Sequence, residues 1–142
     1  MSFMSSLDVS SSGLYAERLR MDVISENIAK ANVTRTADGT PYKKKSVLFA
    51  EDKSGNFGNI LNGKLDELNG VKVDGIVEDK NFKKVYDPKH PDADDDGYVL
   101  MPNVDVLEEM VNMMTASRAY EANITAMNAT KSMAMKALNI GK

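Results

Sequence analysis

The forty residues from Asn103 to Lys142 constrain this chain most. Within them, steps of four and three alternate through Val106, Met110, Met113, Ser117, Tyr120, Ile124, Met127, Lys131, Ala134 and Leu138. All but Ser117 and Lys131 carry side chains suited to an apolar stripe, and the alternation is the 3.5-residue period of a coiled-coil seam. Neither Pro nor Gly interrupts the run before Gly141, which predicts a helix that stops there. Its start is marked by Pro102, with Asn103 or Asp105 as N-cap and capping-box spacing from Asp105 to Glu108. Charge follows the helix dipole, with Asp105, Glu108 and Glu109 in front and Lys131, Lys136 and Lys142 behind. A helix of roughly 35 residues is about 50 Å long. That exceeds what a compact domain of this size wraps, so the seam needs partners. A helix hairpin inside a small bundle is the plainer alternative.

A second helical segment is expected near the N-terminus. Leu7, Leu14, Met21 and Ile28 recur every seven residues, and Phe3, Ile24 and Ala31 join their face, while Ser10 and Glu17 interrupt it. The cluster Ser10 to Ser12 followed by Gly13 is expected to delay or kink the helix start. Between the two ends lies a breaker-rich middle holding all four prolines and most glycines. The expected division is therefore 1–32 as one helix, 33–102 as the middle and 103–142 as the other helix. The fold class that follows is mainly α with a small β element, the two long helices pairing as an antiparallel coiled coil.

In the middle, Asp38-Gly39 gives a turn, and Pro41 to Phe49 reads as a strand. Lys43, Lys44 and Lys45 within it suit a solvated strand edge that resists pairing, or a polyanion site. Val71 to Val73 with Ile76 and Val77 reads as strand, Gly75 marking a bulge, and Phe82 to Tyr86 as another. Residues 51–70 read as a loop with one helical turn around Ile60–Leu68.

Composition excludes much. There is no cysteine and only one histidine, His90, so disulfides and thiolate chemistry are unavailable, and neither a His-pair metal site nor an intact Ser/His triad is easy to build. A net charge of −3 makes no electrostatic case for nucleic acid. No apolar run reaches membrane-spanning length, and residues Met1 to Asp8 lack the basic and apolar regions of a signal peptide. The chain is thus expected to be cytoplasmic or exported by a route that reads no cleavable signal. An enzyme is not expected, and neither is a cofactor. One motif invites a metal: Asp92-Ala-Asp94-Asp-Asp96-Gly97 matches the first half of an EF-hand calcium loop. Its twelfth position is Asn103 rather than Glu, and Pro88 and Pro91 stand where a preceding helix belongs. A solvated acidic turn is the expectation, and a calcium-binding regulatory module the alternative.

Several runs resemble one family. Asn27-Ile28-Ala29-Lys30-Ala31-Asn32-Val33-Thr34 is similar to the Asn-(Leu/Ile)-Ala-Asn…Thr signature of bacterial flagellar rod and hook proteins, with Lys30 replacing an Asn. The run from Tyr86-Asp87-Pro88 through Gly97-Tyr98-Val99 to Pro102-Asn103-Val104-Asp105 resembles the linker of the proximal-rod family. Glu109-Met110-Val111, Ala116-Ser117-Arg118-Ala119-Tyr120-Glu121-Ala122-Asn123 and Lys131-Ser132-Met133 resemble its later motifs, Glu121 replacing Gln.

The resemblance implies a structural subunit of the flagellar rod, the drive shaft of the basal body, assembling through its terminal helices around a channel. It implies as partners other rod proteins, copies of itself, the MS-ring and rod adaptor at the motor base, and the type III export apparatus. It also implies a periplasmic location reached without a cleaved signal. A distal-rod or hook-type subunit is the nearest alternative, although those carry longer middle segments. The expected assembly interface is Leu7, Leu14, Met21 and Ile28 with Val106, Met110, Met113, Tyr120, Ile124, Met127 and Leu138. The motif residues are Asn27, Asn32, Pro102, Asn103, Asp105, Arg118, Tyr120 and Asn123.

Overall fold

The computed structural model describes residues 3–52 and 69–139. Helix α1 spans Phe3–Ala29 and helix α2 spans Val106–Asn139. Between them come β1 (Lys45–Glu51), β2 (Val71–Glu78), β3 (Phe82–Tyr86) and β4 (Tyr98–Pro102). The helical turn expected around Ile60–Leu68 lies outside the described residues.

The serine cluster does not break α1, because its hydroxyls are absorbed by the helix itself. Ser10 Oγ donates to the Ser6 carbonyl at 3.0 Å and Ser12 Oγ to that of Val9 at 2.8 Å. Ser12 Oγ also accepts the Val71 amide, tying α1 to the start of β2. At the other end of the chain, α2 begins one residue after its cap. Asp105 Oδ1 accepts the amides of Leu107 at 2.9 Å and Glu108 at 3.3 Å, filling orphan donors of the first turn.

The helices pack antiparallel. Asn27 meets Glu109, and a Cβ at Gly13 would stand 3.0 Å from Asn123 Nδ2. Fourteen residues back along α1 thus correspond to fourteen forward along α2. The absence of a side chain at Gly13 is what permits that approach. Among the described residues, α2 runs on past the start of α1 without a packing partner, and Leu138 is 77% exposed. Ala16, Val23 and Ile24 on α1 and Ala116 on α2 are buried, and Ala31, Tyr42 and Val104 form a small core that Val33 and Val106 join.

The strands make two separate antiparallel pairs, β1 with β2 and β3 with β4. Leu48 opposes Gly75 and Phe49 opposes Val73, so Asp74 is the extra residue of a bulge beside Gly75. β1 starts at Lys45 rather than Pro41. Residues 41–44 form instead a strap drawn inward by the burial of Pro41 and Tyr42. β4 was not anticipated from the sequence; it occupies the Tyr-Val-Leu-Met stretch of the linker and pairs Tyr98 with Tyr86, whose rings meet edge to face at 5.3 Å.

Candidate functional site

Where α1, the strap and α2 meet, the interior is polar. Asn27 is buried on α1 and uses its whole amide. Its Nδ2 donates to the Lys45 carbonyl at 2.8 Å and to Glu109 Oε2 at 3.0 Å. Its Oδ1 accepts the Tyr42 hydroxyl at 2.9 Å and the Lys45 amide at 3.0 Å. Glu109, only 2% exposed, directs its other carboxylate oxygen at Lys44 Nζ, 3.0 Å away. A buried carboxylate is tolerated only with such partners. Lys44 also lies 3.7 Å from Glu108. Burial pulls the Lys44 ammonium down, but Glu109 and Glu108 outweigh it and hold its pKa above the ordinary value.

A second ionic layer covers this one. Glu26 accepts Lys30 at 2.7 Å and Lys45 at 3.1 Å, and these two, Lys30 first, hold its carboxyl below the usual range. Both ammonium groups lie over the Tyr42 ring, at 5.3 and 5.8 Å from its centroid. The lysine run therefore is not a solvated edge. Lys44 and Lys45 are consumed by internal carboxylates, and Lys43 reaches Glu78 at 3.9 Å.

Burial, with Glu26, Glu78 and Glu109 close by, pushes the Tyr42 phenol up to about 12. The folded state thus holds the Tyr42 proton more tightly than the unfolded chain, whose phenol titrates near pH 10. That contribution is complete below about pH 10 and is lost as pH rises toward about 12, amounting to about 2–3 kcal/mol in full. Urea unfolding at alkaline pH should show this decline in the parent and a shallower one in Tyr42→Phe. Equal slopes would contradict it.

The inward side of α2 consists of Glu109, Met113, Ala116, Tyr120, Asn123, Met127, Thr130 and Ala134, all buried or half-buried. Met113, Tyr120 and Met127 of the expected seam are on this side. Met110 and Ile124 are turned out, 48% and 38% exposed. Leu7, Leu14, Met21 and Ile28 are half-buried flankers of a line through Ala16, Val23, Ile24 and Asn27. Glu17, which interrupts the α1 stripe, keeps a buried Oε2 with no hydrogen bond among the described residues, 3.8 Å from Arg20.

The motif residues divide by role. Asn27 is the hub of the junction, and Asp105 caps α2. Pro102 is buried, and Asn103 Nδ2 donates to Asp79 at 3.1 Å, fastening β4 to the turn after β2. Tyr120 and Asn123 face α1, whereas Asn32 and Arg118 are exposed. Asp92 of the acidic loop accepts Thr34 Oγ1 at 2.9 Å and pairs with Arg35 at 3.7 Å. Its carboxylate is thereby committed to the loop after α1, while Asp94 to Asp96 are exposed. Among the described residues, no three acidic or histidine side chains converge on a point where a metal ion could sit.

Sequence reasoning missed Tyr42, Lys44 and Glu109 as a unit. The available signal was Asn27, a polar residue at seam spacing between Ile24 and Ala31, which in a packed seam demands partners.

Two family models match the chain, "Flagella basal body rod protein" over residues 7–35 and "Flagellar basal body rod FlgEFG protein C-terminal" over residues 95–140. Flagellar basal-body rod protein FlgC of Bacillus subtilis is 50% identical, covering 96% of this chain and 97% of its own. Its namesake in Borreliella burgdorferi is 47% identical over 99% and 98%, and that of Salmonella typhimurium 41% over all of both chains. The matched segments include the hub Asn27, the cap Asp105 and the whole inward side of α2. The chain belongs to the FlgC family of flagellar basal-body rod proteins.

Proposed function

We propose that the chain is a structural subunit of the proximal rod of the bacterial flagellum, packing through its terminal helices and carrying torque along the axis. The observation that carries this reading is the outward side of α2. Leu107, Met110, Val111 and Met114 stand at i, i+3, i+4 and i+7, all exposed, Leu107 by 74%. A continuous apolar patch at that spacing is what another helix covers. The overhanging end of α2, with Met133, Met135 and Leu138 exposed, extends the same kind of surface. Names and lengths of the relatives support the rod assignment over a distal-rod or hook-type subunit.

In this reading residues 1–32 and 103–142 build the helical layer of the rod as a coiled coil, and residues 33–102 carry the β element. Partners are copies of the chain, other rod subunits, and the MS-ring and rod adaptor at the base. Passage to the periplasm runs through the type III export apparatus without a cleaved signal.

Replacing Met110 and Met114 by Glu tests the outward face. Both are exposed, so urea unfolding of the variant should differ from the parent by no more than about 0.5 kcal/mol. Incorporation into detergent-extracted basal bodies should nevertheless be lost. Normal co-sedimentation of the variant with basal bodies would remove this face from the assembly.

A further inference from the structure

We propose that the buried junction of Asn27, Tyr42, Lys44 and Glu109 is a register lock, which decides which face of α2 meets α1 and thereby keeps Met110 and Ile124 outside. Two faces of α2 compete for that contact, and both follow the 4–3 alternation. They share Met113, Tyr120, Met127 and Ala134. The face turned toward α1 adds Glu109, Ala116, Asn123 and Thr130. The other adds Met110, Ser117, Ile124 and Lys131. Rotating α2 about its axis by roughly half of the 100° residue step exchanges them.

Apolar burial alone does not favour the observed choice. It sets Glu109 and Asn123 inside and leaves Met110 and Ile124 in water. Gly13 leaves room for the observed face, but room alone supplies no preference. The polar junction supplies one. Rotation would withdraw the Glu109 carboxylate from Asn27 and Lys44, each 3.0 Å away, leaving one buried Asn27 N–H without an acceptor and a mostly buried ammonium without its nearest carboxylate. One polar residue at a seam position fixes register in coiled coils. Here the device reaches beyond the helices, because Tyr42 and Lys44 belong to the strap. Register therefore depends on a segment outside the seam, and the apolar side chains that the lock holds outside remain free for another subunit.

The chain contains no cysteine, so engineered pairs can read the register directly. Gly13→Cys with Asn123→Cys reports the observed face, since Asn123 Cγ lies 3.4 Å from a Cβ at Gly13. Gly13→Cys with Ile124→Cys reports the rotated one, in a chain that also carries Asn123→Ala so that the new Cβ meets no bulkier side chain than in the first pair. With the lock intact, the first pair should oxidise at least about tenfold faster than the second. In a background of Asn27→Leu, Tyr42→Phe, Lys44→Met and Glu109→Leu, that ratio should fall by about tenfold. An unchanged ratio in a folded variant overturns the lock. Should the quadruple variant not fold, Glu109→Gln carries the test, because it keeps the shape and removes the ion pair. A ratio about two- to threefold lower supports the lock, and an unchanged one overturns it. The readout uses the single chain and needs no rod, so it stands apart from the assembly role.

Discussion

Glu109→Ala should lower the unfolding free energy of the chain by about 3 kcal/mol, the scale of breaking a buried ion pair from one side. The substitution removes the partner of Lys44, whose side chain is 18% exposed, and leaves one Asn27 N–H without an acceptor. The Asn27 N–H then bears desolvation with nothing to offset it, and Lys44 keeps only its longer contact with Glu108 at 3.7 Å. Glu109→Gln retains an acceptor for Asn27 and should cost about half as much. By contrast Lys30→Ala removes an exposed partner of Glu26, which keeps Lys45, and should cost less than about 1 kcal/mol. Urea unfolding of the three variants checks the order. A Glu109→Ala midpoint equal to that of the parent would mean that the junction is solvated and does not hold the helices.

The sequence made the local structure legible and the long-range choices obscure. Asp105 as N-cap was readable because the cap and the amides it accepts lie within three residues. β3 and the bulge beside Gly75 were readable for the same reason. The orientation of α2 was not. Met110, Ile124 and Leu138 make the more apolar stripe, and periodicity ranks stripes by apolarity. Settling the matter requires knowing that Glu109 meets a residue 82 positions away and a lysine on a strap between them. Lys43 to Lys45 misled in the same way, since a charge run reads as solvated until its carboxylates are placed. Strap and β4 show the third case. Tyr42 is pulled off the expected strand by a hydrogen bond to Asn27, and Tyr98 to Pro102 becomes strand by pairing with β3. In each instance tertiary contact overrode a local preference.

Met113→Asp should abolish swimming when it replaces the native protein, whereas Glu108→Gln should leave swimming intact. Met113 lies on both competing faces of α2, half-buried, so no small rotation frees it from packing. A carboxylate there is desolvated with no cation provided, at a cost of several kcal/mol. Glu108 is different: it is exposed, and among the described residues its only ion pair is the 3.7 Å contact with Lys44, which Glu109 holds more closely. Losing that contact should cost tenths of a kcal/mol. The two variants also separate assembly from export. If the export apparatus takes the chain unfolded, helix packing is irrelevant to passage, and Met113→Asp should still appear beyond the inner membrane while rods fail to grow. Scoring motility together with the secreted fraction distinguishes the outcomes. Retention of Met113→Asp inside the cell would point to a defect in export or folding before assembly. Normal swimming by Met113→Asp would show that the inward stripe of α2 does not pack in the rod, and the helical assembly proposed for this chain would fall with it.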